Sequence, residues 1–244
     1  QRFKDDNAAL FALDDPKAPR LTSVLDYHPK GGDNTAARFG RHRGLYQFPL
    51  SPEWQAWSAM NGQAMRGQDF YEFLERHAIE IAPAGIVIPN DVARDSDDQV
   101  DGQDGFDLGT KRLRDMARLL GTNFAGPDTL MALAKGLKLR VNSEVEEQRD
   151  ISTGEASLVF KTEHRSTDGV PLKVPNLFAI HIPVFTQGAV YLLGVRLRYR
   201  LDGGKVVWIY EMHRPDLAFT DAFDEACERA RDATGLPLFY GNPE

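Results

Sequence analysis

The chain is nearly without cysteine: Cys227 stands alone among 244 residues. One cysteine excludes an intramolecular disulfide framework and fits a reducing compartment. No run of eighteen apolar residues occurs, so no segment reads as a membrane-spanning helix and no membrane partner is expected. The opening, QRFKDDNAAL, lacks the apolar centre of a signal peptide. The sequence also has no GxSxG, no GxxxxGK phosphate loop, no GxGxxG and no HExxH, HxH or CxxC metal spacing. Gly109-Thr110-Lys111 misses the first glycine and the Lys-Ser/Thr ending of a phosphate loop. No catalytic motif, cofactor or metal is therefore expected. Nor is there a compositional excess of the fibrous or disordered kind, at 42% apolar and 27% charged residues. A chain of this length can bury one large core or two modest ones.

The negative charge is gathered in one place. The net charge is −7, and residues 90–107 contribute −6 of it, through seven Asp against the single Arg94. The remainder is close to neutral, so the acidic total says little against contact with polyanions. The stretch has few large apolar residues to offset its ordering entropy. It is expected to be a mobile acidic loop separating an N-terminal β/α part, 1–89, from a second part, 108–244. A calcium loop is the sharper reading of Asp97, Gln99, Asp101 and Gly102, but the position for a bidentate Glu is Leu108.

In the first part, residues 10–13, 22–28 and 43–50 read as short strands joined by turn-rich segments. Ser51-Pro52-Glu53 reads as a helix start, with Ser51 capping, Pro52 at the first position and Glu53 at the positive dipole end. Phe70, Phe73, Leu74, His77, Ala78 and Ile81 form one apolar stripe, which predicts a helix running to Pro83 with His77 as a satisfied core residue. Asp26-Tyr27-His28 and the Arg38, Arg41, His42, Arg43 group bring a carboxylate, two imidazoles and guanidiniums into one neighbourhood. Asp26, His28 and His42 are the weak catalytic candidates, for a metal-dependent hydrolase or nuclease. The plainer reading is cross-hairpin pairing, because no metal spacing is present.

In the second part, 111–120 reads as a helix with Leu113, Met116, Ala117 and Leu120 inward and Lys111, Arg112, Arg114 and Arg118 outward. That secondary basic face can meet phosphates or the acidic stretch beside it. Residues 127–135 read as a short helix closed by Gly136. The period then falls to 2 over 137–146, and strands are expected at 156–164 and 177–185, the latter apolar on both faces. Strands 191–200 and 205–214 read as a hairpin around Asp202-Gly203-Gly204. That turn pairs Tyr199 with Trp208, Leu197 with Tyr210 and Val195 with Met212 as a core face. The other face carries Arg196, Arg198 and Arg200 beside Glu211, Ile209 and Val207. This row has three readings: a subunit interface, a single-stranded nucleic-acid track, or a wet face with pairs such as Arg196–Glu211. The final helix, 221–234, buries Cys227 as a small apolar residue, and 236–240 reads as a short strand.

Val24-Leu25-Asp26-Tyr27-His28, Phe48-Pro49-Leu50-Ser51-Pro52-Glu53-Trp54, Val174-Pro175-Asn176-Leu177-Phe178 and the ending Asp221-Ala222-Phe223 … Pro237-Leu238-Phe239-Tyr240-Gly241 together resemble the YfdQ-like phage and prophage proteins. The resemblance runs across nearly the whole chain. It implies a phage origin, a place among replication and recombination genes, and the cytoplasm of the bacterial host. It also implies a longer N-terminus than this chain, which begins without Met. The fold expected is α+β, a mainly antiparallel sheet covered on one face by helices, with a smaller N-terminal β/α part. The function expected is that of a non-enzymatic, self-associating accessory of phage DNA replication or recombination. Its partners would be further copies of itself and single-stranded nucleic acid. The alternatives are a structural protein forming a ring or shell, and the hydrolase built on Asp26, His28 and His42.

Overall fold

The structure, a computed structural model, describes residues 7–27, 40–87, 105–120, 124–138, 144–149, 156–161, 172–202 and 205–243. Strands β1 (Ala9–Leu13), β2 (Arg20–Val24) and β3 (Arg43–Gln47) precede helix α1 (Pro52–Met60). Ser51 Oγ accepts the Trp54 amide at 2.9 Å, so the expected cap is made. Gly62, at φ 73°, turns the chain after α1 in a conformation that disfavours any residue with a Cβ. Strand β4 (Met65–Arg66) leads into α2 (Gly67–Arg76), a 3-10 turn (Ala78–Glu80) and the short α3 (Ala84–Val87). The expectation of one helix to Pro83 is corrected here. The α-helix stops at Arg76, and Ile81 instead bridges Ile180 in extended conformation.

Helix α4 (Gly105–Leu120) begins earlier than its apolar stripe implied, and so takes in the end of the acidic stretch, of which 90–104 lies outside the described residues. After β5 (Phe124–Ala125), α5 (Pro127–Lys138) runs through Gly136 rather than closing on it. The alternating segment begins its strand only at β6 (Glu144–Arg149), followed by β7 (Ala156–Lys161) and β8 (Leu172–Lys173). Then come β9 (Leu177–Pro183), β10 (Val190–Asp202) and β11 (Lys205–Met212). Pro183 ends its strand, as a residue without an N–H must outside an edge or bulge. Helix α6 (Pro215–Thr234) starts on its proline, so Thr220 and Asp221 lie inside it and cap nothing; β12 (Leu238–Tyr240) follows. The mixture is α+β with mostly antiparallel strands, as expected.

The chain divides into two compact units, each drawn from separate stretches. The first takes Gln1–Trp54, Pro183–Ala189 and Asp216–Glu244; the second takes Gln55–Ile182 and Val190–Pro215. This division differs from the sequential one expected at 90–107, a stretch that falls within the second unit's range.

The first unit holds a sheet ordered β12-β1-β2-β3, in which β12 runs parallel to β1 and the other neighbours are antiparallel. Phe219, Ala222, Phe223 and Cys227 of α6 are buried, and Phe48 meets Phe185 and Phe223 with ring centres 5.3 and 5.4 Å apart.

The second unit holds a sheet ordered β4-β11-β10-β9-β5 and a small one ordered β6-β7-β8. The hairpin register matches the turn chemistry: Tyr199 faces Trp208, Leu197 faces Tyr210 and Val195 faces Met212. That face packs on α2, where Phe70 stacks on Trp208 at 4.9 Å and Phe73 on Tyr210 at 5.5 Å. Trp57, fully buried, sits among Phe73, Phe178 and Tyr210. Such ring pairs add roughly 0.5–1.5 kcal/mol each beyond the area they bury. The opposite face is not bare, contrary to the one-sided cover expected. A Cβ on Gly194 would stand 2.5 Å from Leu113 and 3.0 Å from Met116, so α4 lies against this second face at its Gly194 end. Leu113 and Ala117 pack there with Leu177, Ala179 and Leu192.

Candidate functional site

The second face of the five-stranded sheet is where the charge gathers. Because side chains alternate along a strand, Gly194, Arg196, Arg198 and Arg200 of β10 share it, and α4 covers only the first of them. The three arginines are exposed. The register sets Glu211, Ile209 and Val207 of β11 directly opposite them. Glu211 pairs diagonally with Arg198 at 3.0 Å, whereas the wet-face reading offers the directly opposed Arg196–Glu211 as its example. Both partners are nearly half exposed, so the pair contributes at most about 1 kcal/mol.

Further basic residues join the row. Arg66 of β4 lies opposite Val207, and therefore on the same face as Arg200. Val207 is buried although arginines flank it on both neighbouring strands, where their aliphatic stems can stand over it. Lys205 pairs with Asp202 at the hairpin end of the same face. Lys111, Arg114 and Arg118 of α4 are exposed while Leu113 and Ala117 are buried, so the outward basic side expected of this helix is present. The side chain of Arg112 lies outside what is described. The two basic sets read separately from the sequence thus belong to one side of one sheet. Among the described side chains of α4, Asp115 is the exposed acid beside these basic residues.

In the first unit, Asp26 and His42 come together, with His42 Nδ1 3.1 Å from Asp26 Oδ2. Backbone bonds hold the two segments: the Leu25 amide donates to the His42 carbonyl, and the Gly40 amide to that of Asp26. Arg43 Nε donates to the Gly40 carbonyl at 2.6 Å. His28 and Arg38 lie outside the described residues. Among the described residues no group of three His, Cys, Asp or Glu side chains is placed to hold a metal. What the geometry gives Asp26 and His42 is a side-chain contact at hydrogen-bonding distance across neighbouring segments.

His77 has the structural place its stripe implied: it is buried, its Nδ1 is 3.0 Å from the Glu80 carboxylate, and Trp57 Nε1 donates to the same carboxylate. Burial first, then the nearby Asp224 and Asp14 carboxylates, push the Cys227 thiol up to about 12, away from nucleophilic use.

The model of the uncharacterized conserved protein family DUF2303 matches residues 1–243. The chain belongs to that family. No curated protein and no solved structure matches it. In this DUF2303 chain the chemistry must therefore be read from the side chains themselves, and among the described residues the exposed basic sheet face gathers several arginines on one side of one sheet. Among the described residues no helix is long and apolar enough to cross a membrane. Sequence reasoning missed Arg66 because β4 is two residues long and has no period of its own. Its only local signal was its place between the Gly62 turn and the α2 stripe.

Proposed function

We propose that this DUF2303 chain is a non-enzymatic, self-associating protein of phage or prophage origin, an accessory in phage DNA replication or recombination in the bacterial cytoplasm. The sheet face bearing Arg196, Arg198, Arg200 and Glu211 is its contact surface. The observation that carries the reading is the exposure of that arginine row on a face that α4 leaves partly open. Arginine in such a row suits subunit and nucleic-acid contacts alike. The phage origin rests on the resemblance to the YfdQ-like proteins.

Self-association has a second support in the first unit. Every residue of β3 is exposed, and β3 ends its sheet. Leu45 and Tyr46 on it are 67% and 54% exposed, an arrangement that soluble proteins ordinarily cover or charge. Antiparallel pairing of two copies about Leu45 would set Leu45 against Leu45, Tyr46 against Gly44, and Arg43 against Gln47. No like charges are opposed, and the glycine leaves room for the ring.

Native mass by light scattering, with absorbance at 260 and 280 nm recorded across the same peak, tests the proposal. The expected result is a mass above one chain that falls in a Leu45→Lys, Tyr46→Lys variant. A strictly monomeric chain whose nucleic-acid absorbance is nil at every salt concentration would refute it.

A further inference from the structure

We infer that the open side of the β4-β11-β10 sheet, continued by the outer side of α4, holds the sugar–phosphate backbone of single-stranded nucleic acid. The inference rests on the contact surface just proposed and commits it to one partner. The charge of the face is the first argument. On the sheet it presents Arg66, Arg196, Arg198, Arg200 and Lys205 against two acids, Glu211 and Asp202. Glu211 pairs with Arg198, and Asp202 stands opposite Lys205. That leaves Arg66, Arg196 and Arg200 with no carboxylate partner among the described residues. On α4, Lys111, Arg114 and Arg118 are set against Asp115. A surface with this surplus is complementary to a repeating anion.

The apolar residues decide against a second copy of the chain as partner for this face. A stable subunit interface has an apolar, often aromatic, centre. Here Val207 is buried and Ile209 partly so, and Trp208, Tyr210 and Tyr199 point to the other side. Geometry then separates single strands from duplex. Arg196, Arg198 and Arg200 follow one line at a repeat of about 6–7 Å, set by alternate residues of a strand. Such a line can track one extended phosphodiester chain. Reading a duplex groove needs a helix or ribbon that enters it, and an open sheet face offers none. With Tyr199, Trp208 and Tyr210 turned inward, the described residues of β10 and β11 offer no platform for stacking bases, so recognition falls on phosphates and is indifferent to sequence.

The test uses the full chain and a fluorescent oligothymidylate, with anisotropy read over a series of salt concentrations. With about four phosphate contacts from the sheet arginines, log affinity should fall against log salt with a slope of about −3. Arg196→Gln with Arg200→Gln should weaken binding at least tenfold and make the slope shallower by about 1.4. Lys17→Gln, in the other unit, should change neither. Circular dichroism checks that each variant is folded. Binding that survives the arginine changes overturns the inference, as does a slope near zero or tighter binding of a duplex of equal length. If the oligonucleotide does not bind but Arg198→Glu dissociates an assembled chain, the face is a subunit contact. The inference then fails while the contact-surface reading stands. If Arg198→Glu changes neither binding nor assembly, both fall.

Discussion

Replacing Gly194 by alanine probes the close approach of α4 to the sheet face that carries the arginines. The new methyl would stand 2.5 Å from Leu113 Cδ2 and 3.0 Å from Met116 Cε. Carbon atoms in ordinary contact lie about 3.5–4.0 Å apart, so the leucine must retreat by roughly 1 Å. Met116 is only partly buried and can swing away. Leu113 cannot do so freely, being packed with Ala117, Leu177, Ala179 and Leu192. Overfilling a packed site of this kind costs about 1–3 kcal/mol. Against it stands a gain of about 0.4–1 kcal/mol from the reduced freedom of the unfolded chain. The expected result is a net loss of about 1–2 kcal/mol in urea unfolding, followed by tryptophan fluorescence. Leu113→Ala alone should cost about 2–5 kcal/mol. In that background the clashing methyl is gone, and Gly194→Ala should be neutral or slightly stabilising. The two substitutions should therefore couple by more than 1 kcal/mol. Equal effects of Gly194→Ala in both backgrounds, with coupling below about 0.5 kcal/mol, would mean that α4 does not rest where Gly194 admits it.

Three further substitutions test other joints of the fold. Tyr210 donates its hydroxyl to the Trp57 carbonyl at 2.7 Å, satisfying one of the last four carbonyls of α1. Tyr210→Phe should lower stability by about 1–1.5 kcal/mol in a denaturant titration, and an unchanged midpoint would deny the bond. Ser51→Ala removes both the Trp54 cap and the donor to the Pro183 carbonyl at 2.5 Å, and should cost about 1–2 kcal/mol by the same measurement. Asp14 has its ionisation raised by burial first, then by Asp224 and Asp15. The fold thus favours its protonated form, a contribution fully present below the ordinary carboxylate range and lost as pH rises through the raised value. Asp14→Asn should consequently raise the urea midpoint at pH 7, with the difference closing as the pH approaches 4. Parallel curves across that range would contradict this.

What could be read from residues alone was whatever a local rule fixes. A two-residue turn after Asp202, expected from the sequence, predicts which side chains of β10 and β11 face the core, and the observed register, with Tyr199 opposite Trp208, agrees with it. Ser51 capped α1 because a side chain three residues from its target needs nothing else. Periodicity failed where burial came from a distant partner. Ile81 continued the helical stripe of α2, but it is buried against Ile180, and apolar spacing does not distinguish those two ways of being covered. Gly136 was read as a stop. Its cost of about 1 kcal/mol inside a helix is small enough for packing to override. The arginine face was legible as a row on one strand. Its extension to Arg66 and its place beside α4 were not, because a two-residue strand and a helix packing at a glycine have no sequence signature.

The parallel pairing of β12 with β1 bears on the order in which the chain can fold. Leu10 pairs with Leu238, partners separated by nearly the whole length of the chain. Closing so long a loop is slow compared with forming a hairpin. On the ribosome β1 emerges long before β12, so the edge it gives to β12 stays open until residues 238–240 have been made. The stretches of the second unit, Gln55–Ile182 and Val190–Pro215, are complete before then. During synthesis, Leu10 and Phe11 therefore wait with unpaired backbone beside them. That makes β1 a segment that needs protection from other chains before release.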